Sequence, residues 1–508
     1  MSAQPLVRPE NQSNRELVGN VHPPDWVNPE PAPRYNLVVV GAGTAGLVCA
    51  AGAAGLGARV ALVERHLMGG DCLNVGCVPS KGLIRASRAI HDIRDGERFG
   101  IEISGDSRVD FSRAMERMQR IRADISAHDS AARFSRELGV DVFLGDGRFT
   151  GRDTLSVNGK PLRFKRAAIC TGARAAAPPI DGLDEAGYLT NETVFSLTIL
   201  PSRLVVIGAG PIGCELAQTF ARLGSKVSLI QRSGRVLPKE DEDVSSLLQE
   251  RFAAEGIDLY FQTRINKVTG TESGKTIFFE HQGEKIEQTV DEILVGVGRA
   301  PNVEGLGLEA AGVDYDPREG VRVNDRLQTT NPAIFAAGDI CSSYKFTHTA
   351  DAQARIVIAN ALFHGRQKNS SLVIPWCTYT DPEVAHVGMT GAEADDRREE
   401  VNTLTVSLAE VDRARLDGET AGLARVHLKK GSDRILGATV VARHAGEMIS
   451  ELTLAMTAGT GLSSIGKTIH PYPTQAEVIK KLADAYNRTR LTPFIKKVFD
   501  FWLKWQRR

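Results

Sequence analysis

The chain has 508 residues, with 62 Lys and Arg against 62 Asp and Glu, so its formal net charge is zero. That length allows about three or four domains, and the charge balance excludes the basic footprint of a nucleic-acid-binding protein. No apolar run reaches the roughly 20 residues of a membrane-spanning helix, and the N-terminus lacks the charged start and apolar core of a signal peptide. We therefore expect a cytoplasmic protein.

The first segment of the chain, residues 1–34, contains seven prolines and little apolar periodicity. This composition predicts an extended, mobile N-terminal arm. The alternative is an arm that packs down on the protein through Trp26.

Ordered structure is predicted to begin at the apolar run Tyr35–Val40, which is typical of a buried parallel strand. A helical stretch and a second strand, Ala58–Val63, complete a βαβ unit. The same unit returns later, with strands at Arg203–Ile207 and Lys226–Ile230 and a helix at Cys214–Leu223. The chain is therefore predicted to contain two dinucleotide-binding folds of one design.

Each predicted unit carries a Gly-x-Gly-x-x-Gly loop between its first strand and its helix, the context that gives this motif its meaning. The first glycine permits a tight turn, the second lets a pyrophosphate approach the backbone, and the third allows helix and strand to pack closely. The glycines are Gly41, Gly43 and Gly46 in the first loop and Gly208, Gly210 and Gly213 in the second.

The residue at the end of the second strand selects the nucleotide. In the first unit it is Glu64, whose carboxylate can accept hydrogen bonds from ribose hydroxyls. The same offset from Gly208 leads to Gln231, followed by Arg232. A neutral side chain does not repel a 2′-phosphate, and a guanidinium pairs with it, so we favour NADPH over NADH. The alternative is that Arg232 is a solvated surface charge.

Two of the seven cysteines, Cys72 and Cys77, lie close together in the sequence. Pro79 suits the first turn of a helix, which places Cys77 near a helix N-terminus, where the thiolate is favoured. No nearby Cys or His supplies the two further ligands that zinc needs, so we predict no metal site. An inert buried pair is the remaining alternative.

The stretch Gly69–Lys81 resembles the active-site signature of the pyridine nucleotide-disulfide oxidoreductases, among them glutathione reductase, dihydrolipoyl dehydrogenase and mercuric reductase. The resemblance covers about residues 35–488 and includes Thr171–Ala173, Gly298–Asn302 and Ala336–Asp339. It implies an α/β fold with two Rossmann-like domains, for FAD and NAD(P), and a C-terminal α+β dimerisation domain.

Composition at the two ends of the chain, together with the resemblance of the part between them, predicts a division into six parts. They are the N-terminal arm at 1–34, the FAD-binding domain at 35–165 and 291–370, the NAD(P)-binding domain at 166–290, the dimerisation domain at 371–490 and a basic tail at 491–508.

Individual roles follow from the same resemblance. Cys77 would lie against the flavin as the charge-transfer thiol, and Cys72 would carry out thiol exchange. Lys81 would lie beside the flavin and pair with Glu215, since a buried charge needs a partner. Further cofactor contacts are implied for Asp339 at the ribityl chain, Gly147 near the adenine, and Gly298.

The sequence departs from the family at three places. Asp71 stands where members usually carry threonine, at a position near the FAD phosphates, so the charge state of its carboxyl group is left open. Pro211 stands where glutathione reductase has a tyrosine that gates access to the flavin. In the C-terminal motif Tyr472 occupies the position of the catalytic histidine, with Glu477 retained and His470 two residues early. A tyrosine with a pKa near 10 is a poor proton acceptor at neutral pH.

Tyrosine at this position resembles mercuric reductase, yet no cysteine follows Cys377 to hand mercury to the inner thiols. The leading interpretation is a mercuric reductase-like homodimer that passes electrons from NADPH to a metal ion, small disulfide or quinone, with Tyr472 and Glu477 completing the partner's site. The alternatives are a dihydrolipoyl dehydrogenase- or glutathione reductase-like enzyme, and a non-catalytic flavin redox sensor docked at a membrane.

The tail after Pro493 has apolar residues at three- and four-residue steps, which predicts an amphipathic helix. They are Phe494, Val498, Phe501, Trp502 and Trp505, and five basic residues accompany the single Asp500. A basic helix with tryptophan on its apolar face can lie in a membrane interface. The alternative is that this face packs on the protein's own surface or on the dimer partner.

Overall fold

The computed structural model describes residues 7–102, 108–271 and 274–507. These residues form two compact units. The first unit extends to residue 234 and continues from 255 to 372, and the second comprises residues 235–254 and those from 373 onward. Residues 235–254, which the sequence assigns to the NAD(P)-binding domain, therefore group with the C-terminal part of the chain.

The strands of the described residues are, in chain order, β1 Tyr35–Val40, β2 Val60–Glu64, β3 Asp141–Leu144, β4 Gly147–Gly151, β5 Thr154–Val157, β6 Lys160–Ile169, β7 Ala173–Ala175, β8 Arg203–Ile207, β9 Lys226–Ile230, β10 Asp258–Tyr260, β11 Arg264–Thr271, β12 Gly274–His281, β13 Glu284–Val290, β14 Glu292–Val295, β15 Arg299–Pro301, β16 Tyr315–Asp316, β17 Gly320–Val321, β18 Ile334–Ala336, β19 Pro375–Thr378, β20 Glu383–Gly388, β21 Val401–Ser407, β22 Leu423–Lys429 and β23 Ile435–Ala442.

The α-helices of the same residues are α1 Gln12–Val21, α2 Thr44–Gly55, α3 Gly70–Asn74, α4 Cys77–Arg94, α5 Phe111–Ser126, α6 Leu183–Ala186, α7 Pro211–Leu223, α8 Glu242–Ala254, α9 Leu308–Ala311, α10 Thr347–Phe363, α11 Gly391–Asp396, α12 Asp412–Leu416, α13 Ala445–Ala458, α14 Leu462–Lys467, α15 Glu477–Thr489 and α16 Pro493–Gln506. None of them is long and apolar enough to cross a membrane.

The first unit contains a seven-stranded sheet in the order β3-β2-β1-β6-β5-β4, with β18 also paired to β6. Strands β3, β2, β1, β6 and β18 run parallel. Their apolar residues are buried, as expected where helices cover both faces of a parallel sheet. Val40 is in register with Val63 and with Ile169, so these strands end along one edge. The first glycine loop leaves the sheet at that edge.

A second parallel sheet, in the order β10-β9-β8-β14, repeats the design, and the second glycine loop follows β8. The antiparallel strands β11, β12 and β13 form a separate three-stranded sheet. Two parallel βαβ units in one chain confirm the predicted pair of Rossmann-like folds.

The second unit is built on the antiparallel sheet β19-β20-β23-β22-β21. Helices α13, α14 and α15 bury apolar side chains in the same core as this sheet, among them Leu452, Leu462 and Leu482. An antiparallel sheet with its helices segregated from the strands is the α+β arrangement predicted for the C-terminal domain.

The N-terminal segment differs from the prediction. Helix α1 begins after Asn11, whose side chain accepts a hydrogen bond from the backbone N–H of Asn14, and it buries Leu17 and Val21 completely. Further along, the Trp26 indole N–H donates to the carbonyl of Val142 at 3.2 Å. The mobile-arm prediction is wrong for this part of the segment, since burial of two apolar side chains outweighs the proline-rich composition. The alternative of packing through Trp26 is right, and residues 1–6 lie outside the described residues.

Candidate active site

The first glycine of each loop occupies a position that only glycine fits. Gly41 has a φ of +99° and Gly208 a φ of +101°. A Cβ on Gly41 would lie 2.4 Å from the carbonyl oxygen of Cys170, and one on Gly208 would lie 2.6 Å from that of Gly296. The positive φ and the close backbone therefore both require glycine.

The third glycines let each helix approach its strand. A Cβ on Gly46 would lie 1.8 Å from the Gly41 oxygen, and one on Gly213 would lie 1.8 Å from the Gly208 oxygen.

The second glycines are the N-caps of α2 and α7. A Cβ on Gly210 would meet no atom within 4 Å, and one on Gly43 would meet only Gly70, at 3.7 Å. The loops are thus open at the helix N-termini, where pyrophosphate oxygens bind.

The two nucleotide-selecting positions correspond in space. A carboxylate oxygen of Glu64 accepts a hydrogen bond from the N–H of Ala42 at 2.6 Å, and the side-chain oxygen of Gln231 accepts one from the N–H of Ala209 at 3.4 Å. Burial raises the pKa of Glu64. Arg232 follows Gln231 and is exposed.

The predicted cofactor contacts outside the loops also lie in the first unit. A Cβ on Gly147 would lie 3.0 Å from the side chain of Val63 and 3.6 Å from that of Val40, so this glycine adjoins the carboxyl ends of β2 and β1. Asp339 follows β18, which pairs with β6. Gly298 has a φ of +143° and immediately precedes β15.

Arg299 is a charged residue of this region to which the sequence analysis gave no role. Its guanidinium lies 3.1 Å from a carboxylate oxygen of Asp71 and 3.3 Å from one of Asp339. The other carboxylate oxygen of Asp71 accepts a hydrogen bond from Asn191 at 2.9 Å. The acid that replaces the family's threonine is therefore held in an ion pair. The motif Gly298–Asn302 contains its partner, but the sequence gave no sign that the two residues meet.

Cys72 lies in α3, and Cys77 is the first residue of α4. A hydrogen bond from the Cys72 thiol lowers the pKa of Cys77 to about 6, and the charge of Lys81 adds to this effect. The same hydrogen bond, together with burial, raises the pKa of Cys72. The hydroxyl of Thr347, at the start of α10, lies 3.5 Å from the sulfur of Cys77. At neutral pH these shifts favour a thiolate at Cys77 beside a protonated thiol at Cys72.

Lys81 follows Cys77 by one helical turn, and its ammonium group donates to a carboxylate oxygen of Glu215 at 2.9 Å. Glu215, in α7, is 5% exposed. The pairing anticipated from the sequence is thus present, and it connects the helix of the redox pair to the helix of the second glycine loop.

A groove of about 390 Å³ opens beside Cys77. Its apolar lining comes from Val78, Ile121 and Ile125, and its cationic lining from Lys81, Arg85 and Arg117. The sequence gave no direct signal for it, because the lining residues come from two helices, α4 and α5.

Tyr472 and Glu477 lie in the second unit. The Tyr472 hydroxyl donates to a carboxylate oxygen of Asp412 at 3.1 Å, and this hydrogen bond raises the pKa of Tyr472. One carboxylate oxygen of Glu477 is buried without a hydrogen-bond partner among the described residues. The side chain of His470 is 6% exposed and lies 3.1 Å from a carboxylate oxygen of Glu451.

Known proteins share this combination of folds and motifs. Residues 35–354 match the model of the pyridine nucleotide-disulphide oxidoreductase family, and residues 374–483 match that of its dimerisation domain. The chain belongs to this family.

Several members of this oxidoreductase family are similar along most of the chain. A mercuric reductase of Streptomyces lividans is 35% identical over 460 residues, 89% of this chain and 96% of that one. A mercuric reductase of Bacillus cereus is 35% identical over 88% of this chain and 70% of its own. A dihydrolipoyl dehydrogenase of Thermus scotoductus is 33% identical over 89% of this chain and 98% of its own.

Among solved structures, the HOCl-induced flavoprotein disulfide reductase RclA from Escherichia coli aligns with a TM-score of 0.79 and 27% identity. The alignment covers 89% of this chain and 99% of that one. The protein is thus a flavoprotein disulfide oxidoreductase and an enzyme.

The cofactors of the family are FAD and NAD(P)H. Both loops fit a dinucleotide, because each is open at a helix N-terminus where a side chain would block a pyrophosphate. The dimerisation domain likewise makes the protein a homodimer.

We expect the reduced, FAD-loaded enzyme to show a long-wavelength charge-transfer band from the Cys77 thiolate. Because the pKa of Cys77 is lowered to about 6, the band should be present above that pH and disappear as the pH falls through it. Lys81→Met should move the midpoint to higher pH, since it removes a charge that stabilises the thiolate. An absorbance titration measures this.

Cys77→Ser should abolish the band and Cys72→Ser should keep one. A band that survives Cys77→Ser would reverse the assignment of the two thiols.

Proposed function

We propose that the protein is an NADPH-dependent, mercuric reductase-like disulfide reductase whose Cys72–Cys77 dithiol reduces a small acceptor in the cytoplasm. The observation that carries the proposal is the thiol–thiolate pair beside the ion pair of Lys81 and Glu215. When bound, FAD supplies the electron relay between nicotinamide and disulfide. An inert pair of structural cysteines would need neither a depressed pKa nor an adjacent buried ion pair.

The residues take distinct roles in this proposal. Cys77 holds negative charge at the N-terminus of α4, where the helix dipole and Lys81 favour it. Cys72 carries the exchangeable proton, passes it to the Cys77 thiolate to which it is hydrogen-bonded, and attacks the acceptor as a thiolate. Asp339 and Arg299 contribute to holding the cofactor, together with Gly147 and Gly298.

The proton that leaves Cys72 is not accepted by Tyr472 in this scheme. The hydrogen bond to Asp412 raises the pKa of Tyr472, so the phenol is a proton donor at neutral pH. We propose that Tyr472 and Glu477 complete the partner subunit's site as hydrogen-bonding groups. This separates the protein from glutathione reductase- and dihydrolipoyl dehydrogenase-like enzymes, whose motif supplies a histidine.

The lack of terminal thiols bears on the choice among acceptors. A mercuric ion is less suitable than a small disulfide or a quinone, because no cysteine after Cys377 can capture and relay it.

The acceptor proposal is tested with an NADPH-oxidation panel of carboxylated disulfides, quinones and mercuric–thiol complexes. Disulfides or quinones should sustain turnover, and mercury should turn over well below about 10 s⁻¹, an ordinary enzyme value. Cys72→Ser should abolish reduction of disulfides. Tyr472→Phe should slow acceptor turnover while leaving reduction by NADPH intact.

Each other outcome has a definite meaning. If none of the acceptors sustains NADPH oxidation, the result would support the non-catalytic redox sensor instead. Mercury turnover near 10 s⁻¹ would contradict the argument from the missing terminal thiols. If sedimentation shows a monomer and that monomer turns over at full rate, the role of Tyr472 and Glu477 in the partner's site would be contradicted.

The preference for NADPH rests on Gln231 and on the exposed guanidinium of Arg232. Arg232→Ala should lower kcat/KM for NADPH about tenfold or more, because a charge-assisted pair with a phosphate is worth about 1.5–3 kcal/mol. The same variant should leave kcat/KM for NADH nearly unchanged, which serves as the internal control. Steady-state kinetics with both nucleotides measures this, and a wild-type enzyme with higher kcat/KM for NADH would refute the preference.

We also propose a peripheral membrane contact through the C-terminal helix α16. No residue of α16 is buried, although Ile495 is partly buried. Seven of its large apolar side chains are at least 48% exposed, namely Phe494, Val498, Phe499, Phe501, Trp502, Leu503 and Trp505. Its own chain therefore leaves most of the apolar face of this helix uncovered. The helix also begins at Pro493, beyond the dimerisation match, which ends at residue 483.

The charge of this helix indicates which kind of surface it contacts. Within the described residues Lys496, Lys497, Lys504 and Arg507 oppose one acid, Asp500, and each cation near an anionic lipid surface contributes about 1 kcal/mol. Trp502 and Trp505 lie together, with ring centroids 5.3 Å apart. A basic helix with paired tryptophans suits the headgroup region of an anionic bilayer.

Vesicle flotation at low salt should recover the full chain with phosphatidylglycerol vesicles but not with phosphatidylcholine alone. A form ending at Thr492 should remain unbound, and Lys497→Glu with Lys504→Glu should weaken binding while the apolar face stays intact. Equal recovery of the full and shortened forms would exclude the contact. A shortened form that becomes monomeric would instead assign the helix to the dimer.

A further inference from the structure

We propose that the N-terminal helix α1 is a clamp that positions the redox loop, residues 70–77. The clamp acts through a relay of two side chains, those of Asn14 and Arg122, and the backbone carbonyl of Asn74. Because the family match begins at residue 35, α1 precedes the part of the chain that the family model describes. The inference rests on the proposed redox role of Cys72 and Cys77, and Asn14 and Arg122 are positioning residues within it.

The relay runs from α1 through α5 to the redox loop. One guanidinium nitrogen of Arg122 donates to the side-chain oxygen of Asn14 at 2.7 Å. Another donates to the backbone carbonyl of Asn74 at 2.7 Å. Asn74 lies between the two cysteines in sequence, so a single planar guanidinium connects the N-terminal helix to the segment that carries both thiols.

Arg122 is an unusual connector because it is a buried charge without a carboxylate. It is 3% exposed, and burial lowers its pKa to about 10. Its acceptors among the described residues are the two neutral oxygens, and its Nε has none. A buried cation is costly unless its donors are satisfied. Loss of the Asn14 oxygen would therefore leave Asn74 as its single acceptor, and the redox loop would bear the strain.

Further contacts fasten α1 to the segment that leads into the loop. The N–H of Met68 donates to the carbonyl of Val21 at 3.1 Å. The side-chain amide of Asn74 in turn donates to the carbonyl of Met68 at 3.0 Å. Leu17 shares one apolar core with Met68 and Leu73. The loop is thus held both at its entry and between its cysteines.

The position of the Asn74 carbonyl bears on the chemistry of the pair. The pKa of Cys77 is lowered first by the hydrogen bond from Cys72, which requires the two sulfur atoms to stay in contact. A loop free to shift at Asn74 would lengthen that contact and raise the pKa of Cys77. The clamp therefore keeps the reduced pair in its thiol–thiolate form, which packing of α1 alone would not require.

The test uses the FAD-loaded enzyme and three substitutions in α1. Asn14→Ala removes the acceptor. Asn14→Asp keeps a side-chain oxygen as an acceptor for Arg122 and should therefore retain the wild-type properties of the cysteine pair. Asn20→Ala is the matched control, since Asn20 also joins α1 to α5, through Ser126 at 2.9 Å, but has no connection to the loop. The readouts are the pH midpoint of the charge-transfer band and the rate of iodoacetamide alkylation of the reduced pair.

We expect Asn14→Ala to raise the midpoint by about one pH unit, a change that corresponds to about 1.4 kcal/mol. At a pH below both midpoints it should slow alkylation about tenfold, because the thiolate is the form that reacts. Asn14→Asp and Asn20→Ala should match the wild type in both readouts. If Asn14→Ala lowers the melting temperature but leaves both readouts unchanged, α1 only adds stability and the clamp is refuted.

A second variant keeps the test decisive if Asn14→Ala does not fold. Arg122→Lys retains the buried charge but loses the planar fork that reaches two acceptors at once. It should shift the midpoint and the alkylation rate in the same direction as Asn14→Ala. Wild-type values for Arg122→Lys would overturn the relay even if the variant is less stable.

Discussion

The contact between a thiolate and a thiol is the interaction on which the rest of this site depends. Cys77 can hold negative charge because the Cys72 thiol donates to it and because it begins α4. Lys81 adds positive charge one turn later, and Lys81 in turn needs Glu215 as its partner. Since Glu215 lies in the helix that follows the second glycine loop, the thiolate and the nucleotide-binding fold are joined through one buried carboxylate.

The sequence predicted those features whose cause is local. Glycine is required at positions 41 and 208 because a Cβ there would clash with a backbone oxygen. The glycine motif in the sequence therefore predicts this backbone geometry directly. The correspondence of Glu64 with Gln231 followed from counting along two equal units. In the structure each side chain accepts a hydrogen bond from the N–H of the residue after the first glycine of its own loop. For the amphipathic tail, helical spacing was enough to predict α16.

The features that were missed depend on residues far apart in the chain. Asp71 and Arg299 are 228 positions apart, and nothing near Asp71 in the sequence indicates a cation. Helix α1 was hidden by proline-rich composition, although it has one strong capping residue, Asn11, and two fully buried apolar residues, Leu17 and Val21. Composition averages over a segment, whereas a few buried side chains determine whether it is ordered.

The surroundings of Tyr472 restrict the chemistry that the C-terminal motif can perform. Asp412 accepts its proton in a hydrogen bond, and the negative charge of Glu477 also disfavours the phenolate. His470 is already committed to Glu451, so the unit that carries Tyr472 offers no free imidazole at this motif. A dithiol without a neighbouring base suits an acceptor whose reduction does not depend on a thiol leaving group being protonated by the enzyme. Among the acceptors proposed above, quinones meet that condition, because they take protons from water.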